Sequence, residues 1–255
     1  MKILVTGALG HIGSSLIRRL STRLKNLEEI VMIDNLSSQR FSSLFNLPTN
    51  VKYRFVEGDI RSVDLNDLVA EVDCVIHLAA ITDAAGSFGN ADEVELNNYQ
   101  CTESIANACL GNRVKLISLS STSVYGTQSN LVSEDCSEDD LNPQSPYAAT
   151  KLREERLIQR LCKDGLQAVC CRFGTIYGPS MGMRFHTAVN KFCWQAALGH
   201  PISVWRTAYD QMRPYLDLHD ATNAFIFILE NDLFDGEIYN VLTENLTVRT
   251  VVDTI

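Results

Sequence analysis

The chain of 255 residues is long enough for one large domain, or for one domain with a small appended lobe, and it can bury a sizeable core. Its formal charge of −9, with no run of Lys or Arg, argues against nucleic acid or an anionic membrane as a partner. Eight cysteines without a C-x-x-C pair and five histidines without metal-ligand spacing point to reduced thiols in a cytoplasmic protein and to no metal.

Met1 to Thr6 is a short apolar run, and its start at the second residue leaves no length ahead of it for a signal peptide. It breaks at Gly7-Ala8-Leu9-Gly10-His11-Ile12-Gly13 and resumes with helical apolar spacing over Ser14 to Leu24. This reads as strand, glycine turn and helix. A second strand, Glu29 to Ile33, ends on Asp34, about 20 residues beyond the last glycine. Each part answers a chemical demand. A pyrophosphate can rest on a helix N-terminus only if the backbone before it comes close, which Gly7 and Gly10 permit, while Gly13 lets helix and strand pack. Asp34 accepts hydrogen bonds from both hydroxyls of an adenosine ribose and repels a 2′-phosphate, so NAD is favoured over NADP. Arg40 is the nearby cation that argues the other way.

A polar connection, Asn35 to Asn50, leads to a third strand at Val51 to Val56 and then to Gly58-Asp59-Ile60. There Asp59 can reach an adenine edge while Ile60 covers its face; Asp59 can equally cap a helix over Arg61 to Ala70. A fourth strand, Val72 to Leu78, runs into Ala79-Ala80, where a ligand can approach, and the segment 81–90 is expected as a loop over the site. His77 reads as a core or strand-end histidine rather than a catalyst. A long helix from Ala91 to Leu110 sets Asn98, Thr102, Ile105 and Cys109 along one stripe. Asn98 is a poor choice in mid-helix unless its amide has a partner. The fifth strand, Val114 to Leu119, ends in Ser120-Ser121-Thr122-Ser123-Val124-Tyr125-Gly126, and hydroxyls there can hold a substrate.

After an acidic surface loop (Glu134 to Asp140), Ser145-Pro146 opens a helix to about Lys163 whose first turns hold Tyr147 and Lys151 on one face. Arg153, Glu154, Glu155 and Arg156 crowd its outer face, which can as well be solvated as form an interface. A sixth strand (Gln167 to Phe173) and a turn (Gly174 to Pro179) follow. Beyond them come a helix (Phe185 to Leu198), short strands at Ile202 to Trp205 and Arg213 to Leu218, a helix (Asp220 to Leu229) and a strand (Gly236 to Val241). The apolar stretch Ala224 to Leu229 is too short to span a bilayer. The fold class predicted is therefore α/β, a doubly wound parallel sheet of the Rossmann type over residues 1–178. Residues 179–255 are expected to form a smaller substrate lobe rather than more sheet.

A phenol titrates near 10, too high for a base at neutral pH. A cation about 5 Å away at an effective dielectric of about 20 favours the phenolate by roughly 3 kcal/mol, or about two pKa units. Lys151 and the oxidised nicotinamide ring would each supply such a charge to Tyr147, bringing it near neutrality as a general base. Ser121 would share the proton of the substrate hydroxyl on which Tyr147 acts.

Thr6 to Gly13, Asp34-Asn35-Leu36, Gly58-Asp59-Ile60, His77-Leu78-Ala79-Ala80, Ser120-Ser121 with Val124-Tyr125-Gly126, and Tyr147-x-x-x-Lys151 together resemble the extended short-chain dehydrogenase/reductase family. Within it the pattern is similar to nucleotide-sugar epimerases of the UDP-glucose 4-epimerase type, and the likeness continues through Arg213-x-Tyr215 and Asp220 to Tyr239-Asn240-Val241. The resemblance implies Ser121, Tyr147 and Lys151 as catalytic residues. It implies a tightly held NAD on Gly7, Gly10, His11, Ile12, Asp34, Asn35, Asp59, Ile60, Leu78, Ala79, Ala80 and Asn98, with Tyr147 and Lys151. A nucleotide-diphosphate sugar would meet Ser121 and Thr122, with Arg213 on its diphosphate. Dehydratases of the family carry an Asp-Glu pair where Thr122 and Ser123 stand, and decarboxylating relatives a glutamate at Ser123, so epimerisation through a keto sugar is favoured. The alternatives are a dehydratase, dehydrogenase or reductase on the same site, and a non-catalytic NAD-binding regulatory protein. The resemblance also implies a homodimer through the helices Ala91 to Leu110 and Tyr147 to Lys163. Gly174 replaces an asparagine of many relatives, and Trp205-Arg206 an aromatic-glycine pair near the nucleobase. Ile255 falls in the opening turn of a helix after Thr247, which implies a shortened or incomplete substrate lobe.

Overall fold

Apolar residues alternate between two faces along each central strand, and this dictates the layering. The computed structural model describes residues 1–82, 89, 91–127 and 131–255. Strands β1 (Lys2–Thr6), β2 (Glu29–Asp34), β3 (Lys52–Glu57), β4 (Cys74–His77), β5 (Lys115–Ser121), β6 (Ala168–Phe173) and β9 (Ile238–Val241) form one sheet in the order β3-β2-β1-β4-β5-β6-β9. Every neighbouring pair in it is parallel. Ile3 and Val5, Ile30 and Met32, Ile76, Ile117, Val169 and Cys171 point to one core, closed by Leu16, Ile17 and Leu20 of α1 (His11–Arg23) and by Phe225 and Ile226 of α6 (Leu218–Glu230). Leu4, Val31, Ile33, Val75, Leu116 and Cys170 point to the other. That side is closed by Val69 of α2 (Leu65–Ala70), Ile105 of α3 (Ala91–Asn112) and Ile158 of α4 (Pro146–Lys163). Burial on both faces is why these strands read as unbroken apolar runs.

A second, three-stranded sheet, β10-β8-β7, is built from β7 (Thr175–Tyr177), β8 (Met212–Asp217) and β10 (Glu244–Thr247). It shares a small core with α5 (Ala188–Ala197) and α7 (Val248–Thr254), centred on Phe192, Tyr215, Val248 and Val251.

Four local expectations change. The turn from Gly174 is strand β7, because Thr175 to Tyr177 finds a parallel partner in β8. No strand forms at Ile202 to Trp205: the segment follows Pro201, lies beside no ladder and leaves Trp205 80% exposed. The C-terminal elements are not all lobe, since Ile238–Val241 pairs with β6 as the seventh strand and α6 packs on α1 through the Arg19–Asn223 hydrogen bond of 2.9 Å. A strand alternates on its own period wherever it lies, so only its partner decides which sheet it joins. Helix α2 begins at Leu65, where the Asp64 carboxylate caps the amides of Asn66 and Asp67, four residues later than expected. Asp59 is therefore not a helix cap; it accepts from the Arg61 backbone and guanidinium instead. Most of the loop expected over 81–90 lies outside the described residues.

Candidate active site

The parallel topology brings the C-terminal ends of β1, β2, β4 and β5 to one edge, and a cleft of about 480 Å³ opens there. Gly7, Gly10, His11 and Ile12 line it, as do Asp34, Asn35, Asp59, Ile60, Leu78, Ala79, Ala80, Tyr147 and Lys151. Thirteen residues predicted from five separate stretches of sequence thus share one wall.

The glycine turn is shaped for close approach. Gly7 has a positive φ of 62°, and a Cβ there would sit 2.8 Å from the Ala79 backbone. One at Gly13 would sit 2.5 Å from the Gly7 carbonyl. Helix α1 starts one turn earlier than its apolar spacing suggests, at His11, and its N-cap Gly10 brings no side-chain hydrogen bond. The first-turn amides therefore keep their donors for an anion. His11 is buried with Nδ1 at 2.9 Å from the Ser180 hydroxyl, while its Nε2 has no partner. Burial first, and then Arg184, Arg40 and His186, hold His11 down at about 4, so it stays neutral. The Asp34 carboxylate accepts from the amides of Leu9 at 3.1 Å and Leu36 at 3.0 Å, which ties the strand end to the turn. Uncapped amides, an orphaned buried ring nitrogen and a carboxylate at the next strand end fit a dinucleotide.

Asn98 is buried inside α3 rather than on the cleft wall. Its amide accepts from Ile81 N at 2.8 Å and donates to Ile81 O at 2.9 Å, pinning the chain that leaves β4. Ser121, Thr122 and Arg213 are also absent from the wall of this cleft. Ser121 Oγ accepts from the Ser123 amide at 3.2 Å and the Ser123 hydroxyl at 2.9 Å, which leaves its own proton to donate. Thr122 donates to the Phe173 carbonyl at 3.3 Å, and Arg213 donates to Gln211 at 2.5 Å.

Helix α4 starts where Ser145 caps the Ala148 amide, with Pro146 in the first turn, and this sets Tyr147 and Lys151 on the cleft side. Their electrostatics differ from the sequence expectation. Lys151 is 4% exposed and donates to Glu154 Oε2 at 2.8 Å, an ion pair in which both members are buried. Burial alone would pull the ammonium down; Glu154, ahead of Tyr147, more than offsets it and leaves Lys151 above its ordinary value. Burial also pushes the Tyr147 hydroxyl up. Lys151 draws it back, Glu154 raises it again and Arg184 lowers it, with a net result above 10.0. The lysine by itself thus does not bring the phenol to neutrality.

The sequence reading missed three features. Glu154 and Glu155, read as part of an outer face, are each 2% exposed, while Arg153 and Arg156 beside them are exposed. Glu154 lies three residues from Lys151, the spacing that could have revealed it. Arg184 and His186 from the segment after β7 line the cleft, and no motif marks them. Gly182 crosses the glycine turn so closely that a Cβ would fall 2.2 Å from the Leu9 carbonyl, and its amide donates to Ser14 at 2.9 Å.

Comparison with known proteins agrees with this geometry. The model of the NAD dependent epimerase/dehydratase family matches residues 3–241. The chain is 32% identical, over 94% of its own length and 76% of the other's, to an uncharacterized UDP-glucose epimerase of Bacillus subtilis (strain 168). It is 33% identical to a trifunctional UDP-glucose 4,6-dehydratase, 3,5-epimerase and reductase of Arabidopsis thaliana, of which it spans 38%. Among solved structures, UDP-glucuronic acid 4-epimerase from Bacillus cereus, in complex with UDP-glucuronic acid and NAD, superposes with a TM-score of 0.86. The identity there is 30%, and the match covers 97% of this chain and 80% of the other.

Proposed function

Because the chain belongs to the NAD dependent epimerase/dehydratase family, we propose that it epimerises a nucleotide-diphosphate sugar with NAD as a cofactor that is returned unchanged. The observation that carries this reading is the placement of Tyr147 and Lys151 on the same cleft wall as the glycine turn and Asp34. Gly7, Gly10, His11 and Ile12 would hold the dinucleotide phosphates, Asp34 and Asn35 its adenosine ribose, and Asp59 and Ile60 its adenine. Leu78, Ala79 and Ala80 would hold the nicotinamide half, with Asn98 acting through the Ile81 backbone. The chemistry supplied by bound NAD is reversible hydride exchange with a sugar carbon, through a transient keto sugar.

Tyr147 takes the proton of the sugar hydroxyl as general base and restores it. Ser121, its oxygen already accepting twice from Ser123, donates to the same substrate oxygen. Lys151 orients the phenol's surroundings and keeps two N–H donors beyond the one it gives Glu154. Arg213 and Thr122 are proposed to contact the sugar nucleotide from the lobe side. Eliminating water needs an acid and a base beyond the tyrosine. Thr122 and Ser123 offer hydroxyls only, and Thr122 spends its own on the β6 carbonyl, which favours epimerisation over dehydration.

The division at residue 178 is proposed as functional: the cofactor lies on the first part, and the sugar nucleotide against β8 and α5 of the second, beside β7 at the end of the first. A homodimer through α3 and α4 is proposed from their exposed flank, where Leu96 is 54% exposed and Arg153 stacks on Tyr99 at 4.2 Å. A monomeric mass by light scattering would remove it. A cytoplasmic setting is supported by eight free cysteines, and no described helix is long and apolar enough to cross a membrane.

The test is to incubate the protein with UDP-, dTDP-, GDP- and CDP-sugars and follow them by NMR, UDP-sugars first. A new anomeric signal without accumulating NADH is the expected result. Stoichiometric NADH would instead make it a dehydrogenase, and loss of the sugar's C6 hydroxyl a dehydratase.

A further inference from the structure

Glu154 is a buried charge that the mechanism above leaves unused. Its surroundings specify where the protons lie. Thr6 Oγ1 accepts from the amides of Leu78 at 3.1 Å and Ala79 at 3.2 Å, so its own proton goes to His77 Nδ1 at 2.8 Å. That makes Nε2 the protonated nitrogen of the ring. It donates to Thr102 Oγ1 at 3.2 Å, and Thr102 donates to Glu154 Oε2 at 3.0 Å. Lys151 arrives at the same oxygen from the other side at 2.8 Å. A file of donors thus runs from the end of β1, where the cofactor cleft begins, to the carboxylate beside the lysine. The other oxygen, Glu154 Oε1, is buried with no partner at all.

Titratable groups meet this pair from every side. Tyr147 shares its helix, Cys101 comes from α3, His77 from β4 and Cys170 from β6, while Arg184, from the segment after β7, acts on Tyr147. Burial keeps both thiols protonated and holds His77 neutral, at about 3. An ammonium and a carboxylate in contact act on a third group as a dipole, whose influence falls off faster with distance than that of a lone cation.

We propose that Glu154 is a positioning residue for Tyr147, holding the Lys151 ammonium in a buried ion pair so that the phenol's proton affinity follows the charge of the nicotinamide ring rather than the lysine alone. The inference rests on the epimerase reading, and it makes proton uptake by Tyr147 coincide with an oxidised ring. A base that stayed ionised after the ring was reduced would fail to return its proton to the sugar oxygen.

Glu154→Gln keeps the side-chain shape and removes the charge. In the NAD-loaded protein, the tyrosinate absorbance of Tyr147, taken as the difference from Tyr147→Phe, is expected to titrate about one pH unit lower. The acid limb of the kcat profile should move by the same amount, with KM for the sugar nucleotide unchanged within about twofold. A limb and an absorbance midpoint that stay in place, or move upward, would overturn the proposal. Should the Gln variant not fold, Glu154→Asp draws the carboxylate one methylene away from Nζ and is expected to shift both readouts downward by less; no shift there overturns it equally. If wild-type protein turns over no nucleotide sugar, the epimerase reading fails, while the tyrosinate midpoint still decides the role of Glu154.

Discussion

Helix α4 places two buried glutamates side by side, and their surroundings differ. Glu155 faces the sheet. It accepts from Ser120 at 2.5 Å and from Arg172 Nε at 2.9 Å on one oxygen, and from Arg172 Nη2 at 2.7 Å on the other. Arg172 goes on to Tyr125 at 2.7 Å, and Tyr125 to Asn240 at 2.9 Å. Both oxygens are satisfied, and the network staples β5, β6 and β9 beneath the serine turn. Glu154 faces α3 and Lys151, with both of its donors on one oxygen and none on the other. A saturated buried network locks a structure, whereas a half-satisfied one leaves charge to act on a neighbour. One residue of separation on a helix is enough to divide scaffold from chemistry.

The difference between the two glutamates is expected to show most strongly at Arg172. Arg172→Met leaves Glu155 buried without its cation and should cost about 3–5 kcal/mol in urea unfolding. Removing a phenol from the cleft should do the opposite. Tyr147→Phe is expected to lower kcat about 10³-fold while the unfolding midpoint stays close to wild type. NAD-dependent turnover that survives this change would remove Tyr147 as the base.

Acidification probes the Glu154 side through His77. Burial, then Lys151, hold the ring down at about 3, against about 6.5 unfolded. The folded state therefore binds fewer protons, so the contribution is complete above pH 6.5 and is lost as pH falls toward 3. Stability should drop by about 2 kcal/mol between pH 7 and pH 5 from this ring alone, and His77→Gln should flatten that slope in denaturant titrations. The smallest effect is expected at Thr102→Val, which leaves both charges in place but strips the His77 Nε2–H of its acceptor and Glu154 of one donor. A loss of about 1–2 kcal/mol with an unmoved kcat profile would separate hydrogen bonding from charge in this file of groups.

Much of this was legible in residue order because it is local. Gly7, Gly10 and Gly13 mark a turn whose backbone must come close, Asp34 a strand end, and Ser145-Pro146 a helix start, and each of these is decided within a few neighbours along the chain. The unbroken apolar runs of β1, β2 and β4 to β6 likewise announced a sheet buried on both faces. Family membership followed from the spacing of those marks.

What the order of residues left open was decided by partners far away in sequence. Ile238–Val241 has the pattern of a strand in either sheet, and pairing with β6 assigned it to the large one. Arg184 reaches the cleft and Gly182 the glycine turn because β7 lies beside β8 and sends the chain back over that turn. The polar run Arg153 to Arg156 looked like one outer face as a string of charges. The packing of α4 between α3 and the sheet divided it, turning the two arginines outward and the two glutamates inward to Lys151 and Arg172. Charge is written in the sequence, but its dielectric surroundings and its counter-ion are properties of the assembled fold. The acidity of Tyr147 belongs with them.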